Sequence, residues 1–168
     1  MGQFVSSFTN KIDRKGRVSV PASFRAVLTK EAKENGEDSE GIYCYPSLDA
    51  PALDAGGIRL VNKIGELLEE LAPFGDEKDQ LATALYGDSM MLKIDTDGRV
   101  NLPPALRDHA GITDQVVFVG LGGKFQIWEP EKFEAHRLQA REKVRELRKL
   151  LGVGRRPKGG GEAEGGQE

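Results

Sequence analysis

An internal repeat constrains this chain more than any other feature. Ser89 to Arg107 lies over Ser7 to Arg25 without a gap, at a constant offset of 82. Nine of the nineteen positions are identical: Ser7/Ser89, Lys11/Lys93, Ile12/Ile94, Asp13/Asp95, Gly16/Gly98, Arg17/Arg99, Val18/Val100, Pro21/Pro103 and Arg25/Arg107. Chance gives about one. Val20/Leu102 and Phe24/Leu106 keep apolar character as well. One strand–turn–strand–helix–strand module of about 45 residues cannot bury enough apolar surface to stand alone. Two copies can complete each other across a pseudo-twofold axis. The predicted fold is therefore β-rich α+β: one small β-barrel made from two internal repeats, with flanking helices.

The repeated unit reads as a β-hairpin tip. In Lys11-Ile12-Asp13-Arg14-Lys15-Gly16-Arg17-Val18, Asp13 opens and Gly16 closes a four-residue turn, the positions those residues favour. Pro21 then opens a helix. Asp13 can accept hydrogen bonds from the turn amides and face Arg17, and Asp95 can do the same with Arg99. Asp13, Gly16, Asp95 and Gly98 are thus expected to build the turns, and Arg99 to serve as scaffold or subunit contact. The copies differ inside the turn, where Arg14-Lys15 is replaced by Thr96-Asp97. The first turn presents three cations, Arg14, Lys15 and Arg17, and is the expected contact for a polyanion.

The remaining elements follow from spacing. Pro21 to Leu28 places Phe24, Val27 and Leu28 on one helical face. Glu31 to Gly41 reads as a solvated acidic loop, Ile42 to Tyr45 as a strand stopped by Pro46, and Ser47 to Gly57 as turns with one short helical turn. Ile58 to Leu71 is an amphipathic helix with Ile58, Val61, Ile64, Leu67, Leu68 and Leu71 on its apolar stripe. Asp76 to Tyr86 forms a second helix, with Gly87 as its stop. Gly111 caps the helix of the second copy. Gln115–Val119 and Lys124–Trp128 are strands around Gly120-Leu121-Gly122-Gly123, a hairpin turn that lacks the Gly-Lys-Ser/Thr ending of a phosphate loop. A charged helix runs from Glu131 to Leu151, with Phe133, Leu138, Val144, Leu147 and Leu151 apolar. The expected organisation is a first module at 7–54, an acidic helical linker at 55–82, a second module at 83–130, the helix at 131–151 and a disordered tail at 152–168.

The net charge of −3 hides a strong asymmetry. Residues 1–30 carry six cations against one acid, and residues 31–88 four against fourteen. Local fields matter more to a polyanion than the total does. Cys44 is the only cysteine, which suits a reducing compartment. No run reaches the roughly 18 apolar residues that span a membrane, and there is no leader pattern. Only His109 and His136 are present, so a metal cluster or nucleophilic triad has little to build on. Asp95-Thr96-Asp97-Gly98 fails as a calcium loop, since alignment on its glycine puts Lys93 first and Pro104 twelfth, where acids are required. No catalytic residue, metal, cofactor or small-molecule substrate is expected.

Asp13-x-x-Gly16-Arg17-Val18-x-Val20-Pro21 and Asp95-x-x-Gly98-Arg99-Val100-x-Leu102-Pro103 together resemble the MraZ family of bacterial transcriptional regulators. The resemblance runs from about Phe4 to Leu151 and includes Phe24-Arg25 after the first Pro, the acidic linker helices and the Ile127-Trp128 ending. It implies two halves of the AbrB/SpoVT class, which form a double-split, or swapped-hairpin, β-barrel. It also implies sequence-specific binding of double-stranded DNA at short promoter repeats, regulation (usually repression) of the division and cell-wall gene cluster, a ring-shaped homo-oligomer, and a cytoplasmic, nucleoid-associated address. The Asp-x-x-x-Arg signature maps onto Asp13–Arg17 and Asp95–Arg99. DNA contact is expected at Arg14, Lys15 and Arg17, while Asp97 leaves the second turn nearly neutral. An antitoxin-like interaction module with an AbrB-type barrel is the alternative.

Overall fold

The computed structural model describes residues 2–37 and 41–167, with side chains described as far as residue 152. It divides into two compact units, residues 1–130 and 131–168. In the first unit the chain runs β1 (Ser7–Lys11), β2 (Arg17–Ser19), α1 (Ala22–Glu34), β3 (Gly41–Pro46), β4 (Leu53–Gly56), α2 (Ile58–Glu69) and α3 (Asp76–Ala82). A π-helical turn, Thr83–Gly87, leads into β5 (Met90–Lys93), β6 (Arg99–Asn101), α4 (Pro104–Ala110), β7 (Gln115–Gly120) and β8 (Phe125–Trp128).

Six strands form an antiparallel sheet in the order β1-β7-β8-β4-β3-β5, and β2 pairs with β6 in a separate two-stranded ribbon. The order is a palindrome in terms of the repeat. The first strand of each copy lies against the third strand of the other, β1 on β7 and β5 on β3. The two fourth strands meet at the centre, where Asp54 stands opposite Gln126. Among the described residues no ladder closes the sheets into a ring.

The exchange confines the expected hairpin to its tip. β1 and β2 do not pair as a ladder; one bridge, Ile12 to Val18, joins them before they part to different partners. A module that folded on its own hairpin would leave its third strand as an exposed edge, and crossing to the other copy covers both edges at once. Val18, Val20, Phe24, Val100, Leu102 and Leu106 from both copies then enter one core with Phe4, Phe118 and Phe125.

Other expectations shift for local reasons. The acidic stretch after Leu28 is not all loop: α1 continues to Glu34, and Glu31 is buried. Residues 38–40 of that stretch lie outside the described residues. Leu53–Gly56 is a central strand, where only a helical turn was expected. Its Asp54 is buried, accepting from Lys124 Nζ at 2.9 Å and Gln126 Nε2 at 2.8 Å, and Trp128 Nε1 donates to Gln126 Oε1 at 2.9 Å. Most of the expected stripe of α2 is inward: Ile64 and Leu68 pack on Tyr43, Tyr45 and Leu85 with Val61 and Leu71 partly buried against them, while Leu60 joins them and Leu67 is exposed. Gly111 does cap α4 in the left-handed conformation, φ 66°.

The second unit is α5, Pro130–Gln167. It continues past Gly152, where its end was expected; an interior glycine costs a helix about 1 kcal/mol and does not by itself break it. Beyond residue 152 the side chains of the tail lie outside the described residues. No helix among the described residues is long and apolar enough to cross a membrane.

Candidate nucleic-acid interface

The two turns share one hydrogen-bond scaffold. In the first, Gly16 N donates to Asp13 O at 3.0 Å and Asp13 N to Arg17 O at 3.0 Å. Asp13 Oδ1 accepts from the amides of Lys15 and Arg17, both at 2.9 Å. In the second turn, Asp95 Oδ1 accepts from the amides of Asp97 and Arg99, again at 2.9 Å. These backbone donors, the Arg17 and Arg99 amides foremost, hold both carboxyls below their usual range. Gly16 and Gly98 have φ of 90° and 79°, a region that side-chain-bearing residues rarely occupy.

The arginines are held differently. Arg17 Nε donates to Asp13 Oδ2 at 2.8 Å, leaving its remaining guanidinium nitrogens outside that bond. Arg99 Nε stands 3.8 Å from Asp95 Oδ2, beyond hydrogen-bond reach, and its Nη2 donates instead to Asp97 Oδ2 at 3.2 Å. Asp97 occupies the place of Lys15 in the repeat. An internal carboxylate thus engages the second turn's arginine, whereas Lys15 and Arg14 add exposed positive charge beside Arg17.

Each turn is also locked to the other copy. Leu102 N donates to Gly16 O at 2.8 Å, and Val20 N to Gly98 O at 2.9 Å. The first arginine of each helix follows the same crossing. Arg107 Nε donates to Leu102 O at 2.9 Å and lies 3.2 Å from where a Cβ on Gly16 would stand. Arg25 Nε donates to Val20 O at 3.2 Å and faces Gly98. The cation beside the first turn is therefore Arg107, from the second copy. In the β2–β6 ribbon, Val18 and Val100 point inward, while Arg17 stands opposite Asn101 and Ser19 opposite Arg99 on the outer face. Arg14, Lys15, Arg17, Asn101 and Arg107 form one end of this surface. Arg25, Arg99, Asp95 and Asp97 form the other.

Sequence reasoning missed Asn101 and Arg107 as members of the first-turn surface. The Arg25/Arg107 identity was visible in the repeat, but which turn each arginine serves depends on the strand exchange. Cys44 is buried and burial pushes its thiol up to about 12, which leaves it unreactive near neutrality. Among the described residues no cluster of three or more His, Cys, Asp or Glu is placed to hold a metal ion.

The chain is similar to known proteins over most of its length. Residues 85–149 match a family described as "MraZ protein, putative antitoxin-like". A protein of Xanthobacter autotrophicus named transcriptional regulator MraZ is 53% identical over 152 residues, covering 90% of this chain and 93% of the relative. A protein of the same name from Azorhizobium caulinodans is 51% identical over 92% of this chain and 94% of its own. Another from Rickettsia bellii is 43% identical over 90% and 97% respectively.

Proposed function

The chain belongs to the MraZ family, and from that premise we propose that it is a sequence-specific, double-stranded-DNA-binding transcriptional regulator acting through the first turn. The observation that carries this reading is the charge difference between two otherwise matched turns. Arg14, Lys15 and Arg17 are exposed on a turn whose scaffold is satisfied internally, so their charges are available to phosphates. The β2–β6 ribbon places Arg17 and Asn101 beside them, and a two-stranded ribbon is of a size that the major groove admits. Arginine and asparagine are also the side chains suited to reading guanine and adenine edges.

The remaining assignments rest on the same premise. The reciprocal strand exchange and shared core support a double-split barrel built from modules 7–54 and 83–130. Asp13, Gly16, Asp95, Gly98 and Arg99 are its turn-building and subunit-contact residues. The target is a set of promoter repeats upstream of the division and cell-wall genes, with repression as the sign of control. The protein acts as a ring-shaped homo-oligomer in the cytoplasm, at the nucleoid. The family's antitoxin-like description supports a second reading, a protein-interaction module, which requires no promoter footprint.

The test is a footprint and salt titration on duplex from upstream of the protein's own gene. Each phosphate contact contributes about 0.9 to the log–log salt slope. Replacing Arg14, Lys15 and Arg17 together by Ala should abolish protection, with circular dichroism unchanged. Unchanged binding by the triple variant would refute the first-turn assignment; no wild-type protection at low salt would favour the interaction module.

A further inference from the structure

We propose that α5 of one chain docks on the acidic α2–α3 face of a second copy, forming the head-to-tail contact of the assembly. This rests on the self-association proposed above and adds the surfaces that make it. From Phe133, α5 carries Ala140, Val144, Leu147 and Leu151 at the alternating spacings of a heptad seam, with Arg137 as its one charged member. The exposed part of the seam, Val144 to Leu151, covers about 10 Å of helix. Val144, Leu147 and Leu151 are 52%, 57% and 63% exposed. A polar helix with an exposed apolar seam is built to be covered by another helix.

The charges beside the seam select its partner. Residues 137–149 carry six cations and two acids, and Arg141, Lys143 and Arg148 border the seam. Pairing two α5 helices would set these cations against one another, which coiled-coil flanks avoid. An acidic surface with apolar anchors fits instead. Residues 58–88 hold seven acids and three cations. On α2 the exposed Leu67 has Glu66, Glu69 and Glu70 around it. At the α2–α3 corner Phe74 is 97% exposed, with its backbone held in the left-handed region at φ 61°. Leu81 on α3 is also exposed. A large aromatic fixed in open solvent on an acidic helical corner complements a basic helix with an open apolar seam.

Because the two faces differ, the contact is heterologous. Such contacts close into rings when the rotation between neighbours permits. The test is sedimentation velocity on the full chain at low salt. R141E/R148E and E69R/E70R should each shift the assembly to smaller species with far-UV circular dichroism unchanged. Combining the two reversals should restore the wild-type mass, because the charges again oppose. An assembly that forms normally and ignores both reversals would overturn this contact alone. So would R141E/R148E weakening DNA binding while leaving the mass unchanged, since α5 would then face the nucleic acid. A wild-type chain that sediments as a monomer would overturn the self-association reading together with this one.

Discussion

Gly16 and Gly98 occupy equivalent places in the repeat, yet alanine should cost very different amounts at the two. Both glycines have positive φ, so both substitutions carry a common conformational penalty of about 1–2 kcal/mol. The surroundings differ. A Cβ on Gly16 would lie 2.7 Å from the Leu102 carbonyl oxygen and 2.9 Å from Asn101 Oδ1. Backbone of the other copy must then move, and the Leu102 N to Gly16 O bond stretches with it. Overpacking against an immobile group costs typically 1–3 kcal/mol, and a backbone hydrogen bond about 1 kcal/mol net. The three atoms nearest a Cβ on Gly98 all belong to the guanidinium of Arg25, with Cζ at 2.9 Å, and that flexible side chain can swing away. The expected destabilisation is about 3–6 kcal/mol for Gly16→Ala and about 1–2 kcal/mol for Gly98→Ala. At about 2–4 °C per kcal/mol for a chain of this size, Gly16→Ala should melt several degrees below Gly98→Ala. Thermal and urea unfolding at one fixed protein concentration measures this. Equal costs, or a larger cost at Gly98, would refute the claim that an added Cβ is blocked by the other copy's backbone at Gly16 and by a movable side chain at Gly98.

Other outcomes follow from the same contacts. Phe24 packs edge-on to Phe4 at 5.2 Å and lies 4.9 Å from Phe125, so Phe24→Ala should cost about 3–5 kcal/mol by urea unfolding. The pH dependence should have two limbs of opposite sign. Asp13 and Asp95 are held below 3.8 by turn amides, so they stabilise the fold above about 3.8 and that contribution is lost as pH falls through their depressed values. D13N/D95N should flatten this acid limb in a pH series of urea midpoints. Burial raises Glu31 above 4.5, against the smaller opposing pull of the Arg59 amide, so its contribution declines as pH rises from about 4.5 through its raised value. E31Q should remove that decline, and a wild-type midpoint independent of pH on both limbs would refute the assignment.

Much of the site is legible without coordinates. The offset of 82 exposes the repeat, and the Asp…Gly spacing specifies a four-residue turn through the demands of backbone geometry. The Arg14-Lys15 to Thr96-Asp97 change shows which turn bears the charge. Periodicity finds α2 and most of its stripe; Leu60 and Leu67 lie two turns apart on one side of the helix, and only the contact with Tyr43 and Tyr45 decides that Leu60 is covered and Leu67 is not. The acidic run after Leu28 misleads for a related reason. Glu31 looks solvated by composition, yet its Oε1 accepts from the Arg59 amide at the start of α2, at 3.3 Å.

Residue identity alone shows two matched modules and which of their turns is cationic. These are matters of local propensity and residue identity, carried within a few positions of chain. That β1 joins β7, that β5 joins β3, and that Arg107 rather than Arg25 stands beside the first turn emerge in the folded molecule. A repeat makes within-copy and between-copy pairing locally equivalent, since both offer the same strands. What separates them is the burial of shared edges and one common core, and those terms exist only once both copies are folded together.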